Sequence, residues 1–320
     1  MSYRAVSVRN PHYRCQSVKP KSRDMSKNED LQQFDTIGFR QIKVGAISTK
    51  PRKWDKWWNV EQLERDFRRT AQRGVRLAVA PEGFVEGYVV NEVLEDPSLA
   101  PQLLDIAEPL TGPSVSRFRE LARDLGICLV FGLAERRGTD VYNCAVFVDD
   151  TGKIRGAHRK SYFAEGAHKA WYFNRAGDRL RAFDTPLGRA GIVICAERWN
   201  PAIVRSLVLD GAQMILIPSF GSRARAQNET VVARARENGV PIVEANVGVN
   251  LIVSRGEVAA YHWGCGALTV ATIDVPDMPS SRTARAAERS FLATRTAILA
   301  QRAKTTISNY GKRCVRPPRP

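Results

Sequence analysis

The sequence lacks any long hydrophobic run. No apolar stretch approaches the roughly 20 residues that a membrane-spanning helix needs, so we expect no transmembrane segment. The first 40 residues also lack the apolar segment of a secretory signal. The six cysteines lack metal-ligand spacing, and the glycines form no loop of the kind that holds phosphates. These features favour a cytoplasmic protein with reduced thiols.

The positive charge is concentrated at the two ends of the chain. The net charge is +16, and residues 1–40 and 280–320 together supply +13 of it. We interpret 1–40 as a flexible basic extension and 280–320 as a basic arm or tail, with an amphipathic helix possible in the latter. Any binding of nucleic acid would therefore involve these two tails, and we do not expect it of the region between them.

Residues 41–279 show alternating strand and helix patterns. Short apolar runs such as QIKVGAIS and RLAVA alternate with helical periodicity near residues 60–73 and 114–125. We expect Ser114 to cap the second of these helices and Gly126 to end it. The turn signal Asp-Thr-Gly at 150–152 predicts a hairpin. This order predicts one layered α/β domain.

Cys195 lies between a strand pattern and a helix pattern. The apolar run GIVI ends at Cys195, and helical periodicity follows from Pro201 to Leu209. A strand-to-helix turn exposes its side chain and directs backbone N–H groups, such as that of Ala196, towards a ligand. A single cysteine after an apolar run is more often a small buried residue. However, Glu82 and Lys160 also follow strand patterns, and ligands bind beyond the carboxyl ends of the strands in α/β sheets.

The sequence resembles the nitrilase, or carbon–nitrogen hydrolase, superfamily over residues 41–275. The resemblance rests on three motifs in the family's order, APEGFVEGY around Glu82, GAHRK around Lys160 and GIVICAERWNP around Cys195. It implies a four-layer αββα sandwich, a Glu-Lys-Cys triad and no cofactor or metal. It also implies a homodimer or higher homo-oligomer, with a small-molecule amide, carbamoyl compound or nitrile as substrate.

The three residue types suit hydrolysis of a non-peptide carbon–nitrogen bond. Glu82 would accept the thiol proton of Cys195 and return it to the leaving amine. Lys160 and the N–H of Ala196 would stabilise the oxyanion, and water would then hydrolyse a thioester. The motifs favour an amide or N-carbamoyl substrate. Nitrile hydrolysis or acyl transfer by the same triad, and a catalytically weak protein that binds an acidic partner or nucleic acid through its tails, remain alternatives.

Other residues have a less specific signal. Glu197 is expected to shape the site, while Tyr88 and Trp199 are pocket candidates, as are the aromatic residues of 171–173, although all of these aromatic residues could equally belong to the core. A structural Glu82–Lys160 ion pair, or a Cys–His enzyme that uses His158, would be the alternatives to the triad. Relatives in the family usually carry a second glutamate beyond the lysine. In this chain either Glu165 or His168 occupies that region.

Two substitutions distinguish the candidates for the second acid. If Glu165 supports the triad, Glu165→Gln lowers kcat about 10²-fold and His168→Ala has little effect, because a positioned charge is lost only in the first variant. If His168 has that role, the order reverses and one limb of the pH–rate profile shifts. Steady-state ammonia release measures both. Near wild-type activity in both variants would show that neither residue is needed.

Overall fold

The computed structural model describes residues 38–162, 175–221 and 225–277. The described strands form two six-stranded sheets, and they are β1 (Phe39–Ile47), β2 (Leu77–Val79), β3 (Cys128–Arg137), β4 (Asp140–Val148), β5 (Ile154–Arg159), β6 (Phe183–Thr185), β7 (Gly188–Ile192), β8 (Met214–Ser219), β9 (Ile242–Asn246), β10 (Val249–Ser254), β11 (Glu257–Trp263) and β12 (Leu268–Pro276). The described α-helices are α1 (Lys56–Ala71), α2 (Val90–Glu95), α3 (Ala100–Ile106), α4 (Pro113–Leu125), α5 (Pro201–Leu209) and α6 (Arg225–Asn238).

Each sheet is mixed, with a parallel centre. The first sheet has the order β12-β1-β2-β3-β4-β5, in which β1, β2 and β3 are parallel. Because β4 is antiparallel to both β3 and β5, β5 runs in the same direction as β2. The carboxyl ends of β2 and β5 therefore lie at one edge of the sheet. The second sheet has the order β11-β10-β9-β8-β7-β6, with β7, β8 and β9 parallel.

The two sheets pack face to face through a shared apolar core. In β2, Leu77 and Val79 face this core, and Ala78 faces the opposite side, as the period of two in a strand requires. Ile192 of β7 and Leu216 of β8 enter the same core from the second sheet. The inner faces of both sheets are consequently buried from solvent.

The helices cover the two outer faces. Phe67 of α1 and Phe118 of α4 pack on the first sheet, with ring centroids 5.7 Å apart. Val204 of α5 and Val231 of α6 pack on the second sheet. The predicted four-layer αββα sandwich is therefore confirmed. In the part of the chain that is described, no helix is long and apolar enough to cross a bilayer.

The sequence predicts some of the helix and turn boundaries correctly. Gly126 ends α4 in the left-handed region with φ 63°. The prediction that Ser114 caps α4 is wrong, because Gly112 is the N-cap residue and the Ser114 hydroxyl donates to Glu108 at 3.0 Å. The 150–152 turn forms as predicted, and Gly152 N–H donates to the Asp149 carbonyl at 2.8 Å. The two basic ends of the chain lie outside the described residues.

Candidate active site

The structure brings Glu82 and Lys160 into direct contact at the edge of the first sheet. Lys160 Nζ donates to Glu82 Oε1 at 2.6 Å, and the two residues are 3% and 0% exposed. Glu82 lies in the loop that follows β2, and Lys160 directly follows β5. Burial would lower the pKa of Lys160, but the negative charge of Glu82 and the hydrogen bond to Glu82 raise this pKa overall. Lys160 is therefore cationic at neutral pH.

The second sheet supplies the nucleophile candidate and a backbone link to Glu82. Cys195 begins a 3₁₀-helix, Cys195–Trp199, and is the third residue after the end of β7. Its Sγ lies 3.8 Å from the Phe220 carbonyl oxygen, and Phe220 N–H donates to Glu82 Oε2 at 3.0 Å. One residue after β8 thus contacts both the thiol and the carboxylate.

The electrostatic environment keeps the Cys195 thiol protonated at rest. Burial and the negative charge of Glu82 raise its pKa, and Lys160 and Arg198 offset only part of that rise. A thiol becomes a strong nucleophile only as the thiolate, so a nucleophilic role for this thiol would require a neighbouring base. Glu82 is the carboxylate whose charge acts most strongly on it.

Cys195 has an uncommon backbone conformation. Its φ is +49°, which a residue with a side chain adopts only at an energetic cost of about 1–3 kcal/mol when the surroundings enforce it. Ala196, the second residue of the 3₁₀-helix, is buried. An N–H at that position has no acceptor within its own helix, so it is available to a ligand oxygen.

A buried ion pair that contacts the backbone of Cys195 was not predicted from the sequence. The Arg198 guanidinium pairs with Glu244 of β9, and it donates to the Cys195 carbonyl at 2.7 Å and to Ser219 Oγ at 2.8 Å. Gln227 of α6 also donates to Glu244, at 3.1 Å. These bonds connect the strained turn to β8, β9 and α6.

Glu197 connects the loop of the thiol with the loop of the lysine. Its Oε2 accepts from Ile194 N–H at 2.7 Å, and its Oε1 accepts from Ser161 N–H at 2.7 Å. Burial would raise the pKa of Glu197, but His158 and the hydrogen bonds to the carboxylate lower it to about 2. His158 Nε2 lies 2.8 Å from Glu197 Oε2, so this ring nitrogen is engaged by Glu197, which argues against the Cys–His alternative.

Asn143 is a further site residue that was missed. Its Nδ2 donates to Glu82 Oε1 at 2.6 Å from β4. Glu82 therefore accepts from an amide, an ammonium and a backbone N–H. The available signal was a polar residue inside the apolar strand YNCAVFV, because a buried amide requires hydrogen-bond partners.

Tyr88 and Trp199 differ in their surroundings. Tyr88 stacks on Phe220 with ring centroids 4.4 Å apart and an interplanar angle of 13°. Burial raises the pKa of Tyr88 well above its usual value, and the negative charge of Glu82 adds to the effect. Tyr88 therefore forms a wall beside the triad candidates. Trp199 is 47% exposed at the end of the 3₁₀-helix, so it is not a core residue.

Several predicted residues fall in a segment that lies outside the described residues. Glu165, His168 and the aromatic residues of 171–173 belong to 163–174. Among the residues that are described, no group of three or more His, Cys, Asp or Glu side chains is arranged to hold a metal ion.

A second buried carboxyl group lies in the Glu82 loop. Glu86 Oε2 accepts from Ala134 N–H of β3 at 2.8 Å. Burial raises the pKa of Glu86 to about 7; its own N–H and that of Ala134 oppose the rise, and Glu82 adds to it. Close to neutral pH, a substantial fraction of Glu86 therefore carries a proton.

Comparison with known proteins gives one family throughout. The sequence profile of the family described as Carbon-nitrogen hydrolase matches residues 39–276. The chain is 28% identical over 201 residues to N-carbamoylputrescine amidase of Oryza sativa subsp. japonica. The aligned region covers 61% of this chain and 62% of that protein, so this chain spans less than two thirds of the length of that relative. It is 30% identical over 209 residues to a nitrilase of Pyrococcus abyssi, which covers 64% of this chain and 74% of that protein. The crystal structure of an amidase from Nesterenkonia sp. superposes with a TM-score of 0.62 at 24% identity, covering 74% of this chain and 90% of that one, and this likeness concerns the fold.

The Glu86 carboxyl predicts a pH-dependent stability. The native state retains the Glu86 proton to about pH 7, whereas the unfolded chain releases it near pH 4.5, so the native state binds more protons between these values and its stability falls as pH rises. Glu86→Gln removes this penalty. In urea denaturation, the free energy of unfolding of Glu86→Gln minus that of wild type should increase above about pH 4.5. Near pH 8 this difference should be about 3 kcal/mol larger than at low pH. The exposed Glu95→Gln variant should show no such trend, and a flat difference for Glu86→Gln would contradict the assignment.

The Arg198–Glu244 pair predicts a large stability loss when one partner is neutralised. Glu244→Gln leaves the Arg198 charge uncompensated in the protein interior, which should lower the free energy of unfolding by about 3–5 kcal/mol. The matched control is Glu257→Gln, which breaks the exposed Arg236–Glu257 pair and should change stability by about 1 kcal/mol or less. Equal effects of the two variants in urea titrations would show that the buried pair does not hold the turn.

Proposed function

The chain belongs to the carbon–nitrogen hydrolase family, and we propose that it hydrolyses the carbon–nitrogen bond of a small amide or N-carbamoyl compound with Cys195 as nucleophile. The observation that carries this proposal is the convergence of a protonated lysine and a buried carboxylate beside a thiol on a strained turn. Each of these groups supplies one function that acyl transfer from nitrogen requires.

The first step forms the acyl-enzyme. Glu82 accepts the Sγ proton as Cys195 attacks the carbonyl carbon, so the thiolate appears only when the substrate is in place. The negative charge that develops on the carbonyl oxygen is stabilised by Lys160 Nζ and the N–H of Ala196. Asn143 and Phe220 hold the Glu82 carboxylate in position while its proton moves.

The second half of the reaction releases both products. Glu82 returns the proton to the nitrogen of the tetrahedral intermediate, the carbon–nitrogen bond breaks, and ammonia or an amine leaves. Water then gives a proton to Glu82 and attacks the thioester carbon. When the intermediate collapses, the acid leaves and Cys195 regains its proton. The chemistry requires neither a metal nor an organic cofactor.

The relatives support an amide or carbamoyl substrate and keep nitriles as a second candidate. Proteins named N-carbamoylputrescine amidase and deaminated glutathione amidase are 28% and 26% identical to this chain. The 30% identity to a nitrilase is the observation that favours nitriles. A nitrile would form a thioimidate on Cys195 and consume one additional water before ammonia leaves.

We assign catalysis to residues 41–279 and treat the basic ends as separable from it. We also propose a homo-oligomer, which the resemblance to the family implies. A small molecule is the proposed partner, with no role assigned to membranes or nucleic acid.

Substitution of the nucleophile tests the proposal. Ammonia release from a panel of amides, N-carbamoyl compounds and nitriles should identify the substrate class, and Cys195→Ala should lower kcat at least about 10³-fold on the best substrate. Cys265→Ala is the matched control, because this exposed cysteine should leave activity unchanged. Mass spectrometry of a rapidly quenched reaction should find the acyl group on Cys195. Full activity of enzyme alkylated at Cys195 would refute the mechanism.

A further inference from the structure

Glu86 is close to the proposed catalytic base but has no role in the steps above. It lies four residues after Glu82 in the same loop, is 7% exposed, and folds back over Gly83. A Cβ atom at Gly83 would lie 2.7 Å from Glu86 Oε1, and Gly83 has φ +56°. Glycine at this position thus allows the second carboxyl group to lie against the backbone next to Glu82.

Glu86 and Asn143 line one small cavity. The cavity has a volume of about 10 Å³, and its polar lining comes from Glu86, Tyr88, Tyr142 and Asn143. This is close to the smallest volume that holds one water molecule. Asn143 is 8% exposed, and its Oδ1 has no hydrogen-bond partner within the described part of the chain. A buried amide oxygen that borders a polar cavity is a site for a donor.

The charges around Glu86 favour the protonated acid as that donor. Glu82, in the same loop, opposes its ionisation, whereas Lys53 favours it more weakly. Lys53 Nζ is engaged by the Tyr88 carbonyl at 2.6 Å and by Glu92 at 3.0 Å. Among the described residues, no cation lies within 4.0 Å of the Glu86 carboxylate. Tyr88, another polar neighbour, is a neutral phenol at physiological pH, because burial raises its pKa well above the usual value.

We propose that Glu86 is a positioning residue for Glu82: as a neutral acid it donates through one water molecule to Asn143 Oδ1, and its ionisation lowers the activity of the enzyme. The donated hydrogen bond polarises the Asn143 amide, which strengthens the bond from Nδ2 to Glu82 Oε1. When Glu86 loses its proton to solvent, this donor is lost and a second negative charge lies near Glu82, where it opposes formation of the oxyanion. This inference rests on the proposed function.

The kinetic test compares the pH dependence of wild type and Glu86→Gln. Because the pKa of Glu86 is raised to about 7, wild-type kcat/KM should fall on the alkaline side of neutrality, by about tenfold for an added charge at this depth. Glu86→Gln keeps a neutral side chain that accepts from Ala134 N–H, so its kcat/KM should not fall over the same range. The exposed Glu95→Gln variant should retain the wild-type profile. Superimposable profiles of wild type and Glu86→Gln would overturn the proposal.

A second measurement does not depend on turnover. In Cys195→Ala protein with ¹³C-labelled glutamate carboxyl groups, one NMR resonance should titrate near pH 7. This resonance should be absent from the Glu86→Gln variant and also from the Glu86→Asp variant, which confirms its assignment to Glu86. Adding Glu82→Gln should move this titration to lower pH, because a negative charge beside Glu86 has been removed. A Glu86 resonance with an ordinary carboxyl titration, or one that Glu82→Gln does not move, would also overturn the proposal. Absence of ammonia release from every substrate would instead refute the proposed function and leave this titration to decide whether Glu86 and Glu82 are coupled.

Discussion

The buried Glu82–Lys160 ion pair is the interaction on which the site depends. Removing two charges from water is costly, and their attraction repays the cost only when the remaining hydrogen-bonding capacity is also satisfied. Here Asn143 and the Phe220 N–H complete the shell of Glu82. Asn143 belongs to the first sheet, whereas Phe220 follows a strand of the second sheet. The hydrogen-bond shell of Glu82 is therefore complete only when the two sheets are packed together.

A second set of buried charged residues hydrogen-bonds to the backbone of the turn that carries Cys195. Arg198, paired with Glu244, donates to the Cys195 carbonyl, and Glu197 accepts from the N–H of Ile194. These contacts lie on both sides of Cys195 along the chain and fix a backbone conformation that is unfavourable in isolation. The hydrogen bonds of Arg198 and of Glu197 thus offset the strain of the turn. Glu197 also accepts from Ser161 N–H, which connects the turn to the loop that carries Lys160.

The buried acids illustrate how environment sets the state of a carboxyl group. Glu197, which is surrounded by N–H donors and His158, has its pKa lowered to about 2. Glu86 has two backbone donors and a negative neighbour, and burial raises its pKa to about 7. The same residue type is therefore a permanent anion at one position and a titrating acid at another, because the number of donors and the sign of the nearest charge differ.

The sequence alone was sufficient to determine the layered α/β fold and the positions of Glu82, Lys160 and Cys195 after strands. Those features depend on local patterns, such as the apolar run RLAVA that contains β2 and the apolar run before Cys195, which neighbouring residues encode directly. The roles of Asn143, Phe220, Arg198 and Glu244, and the cavity beside Glu86, became visible only in the tertiary structure. Glu82 and Phe220 are 138 residues apart in sequence, and Arg198 and Glu244 are 46 apart. Contacts of this kind depend on the order and register of strands in two sheets, and the periodicity of a single segment carries no information about either.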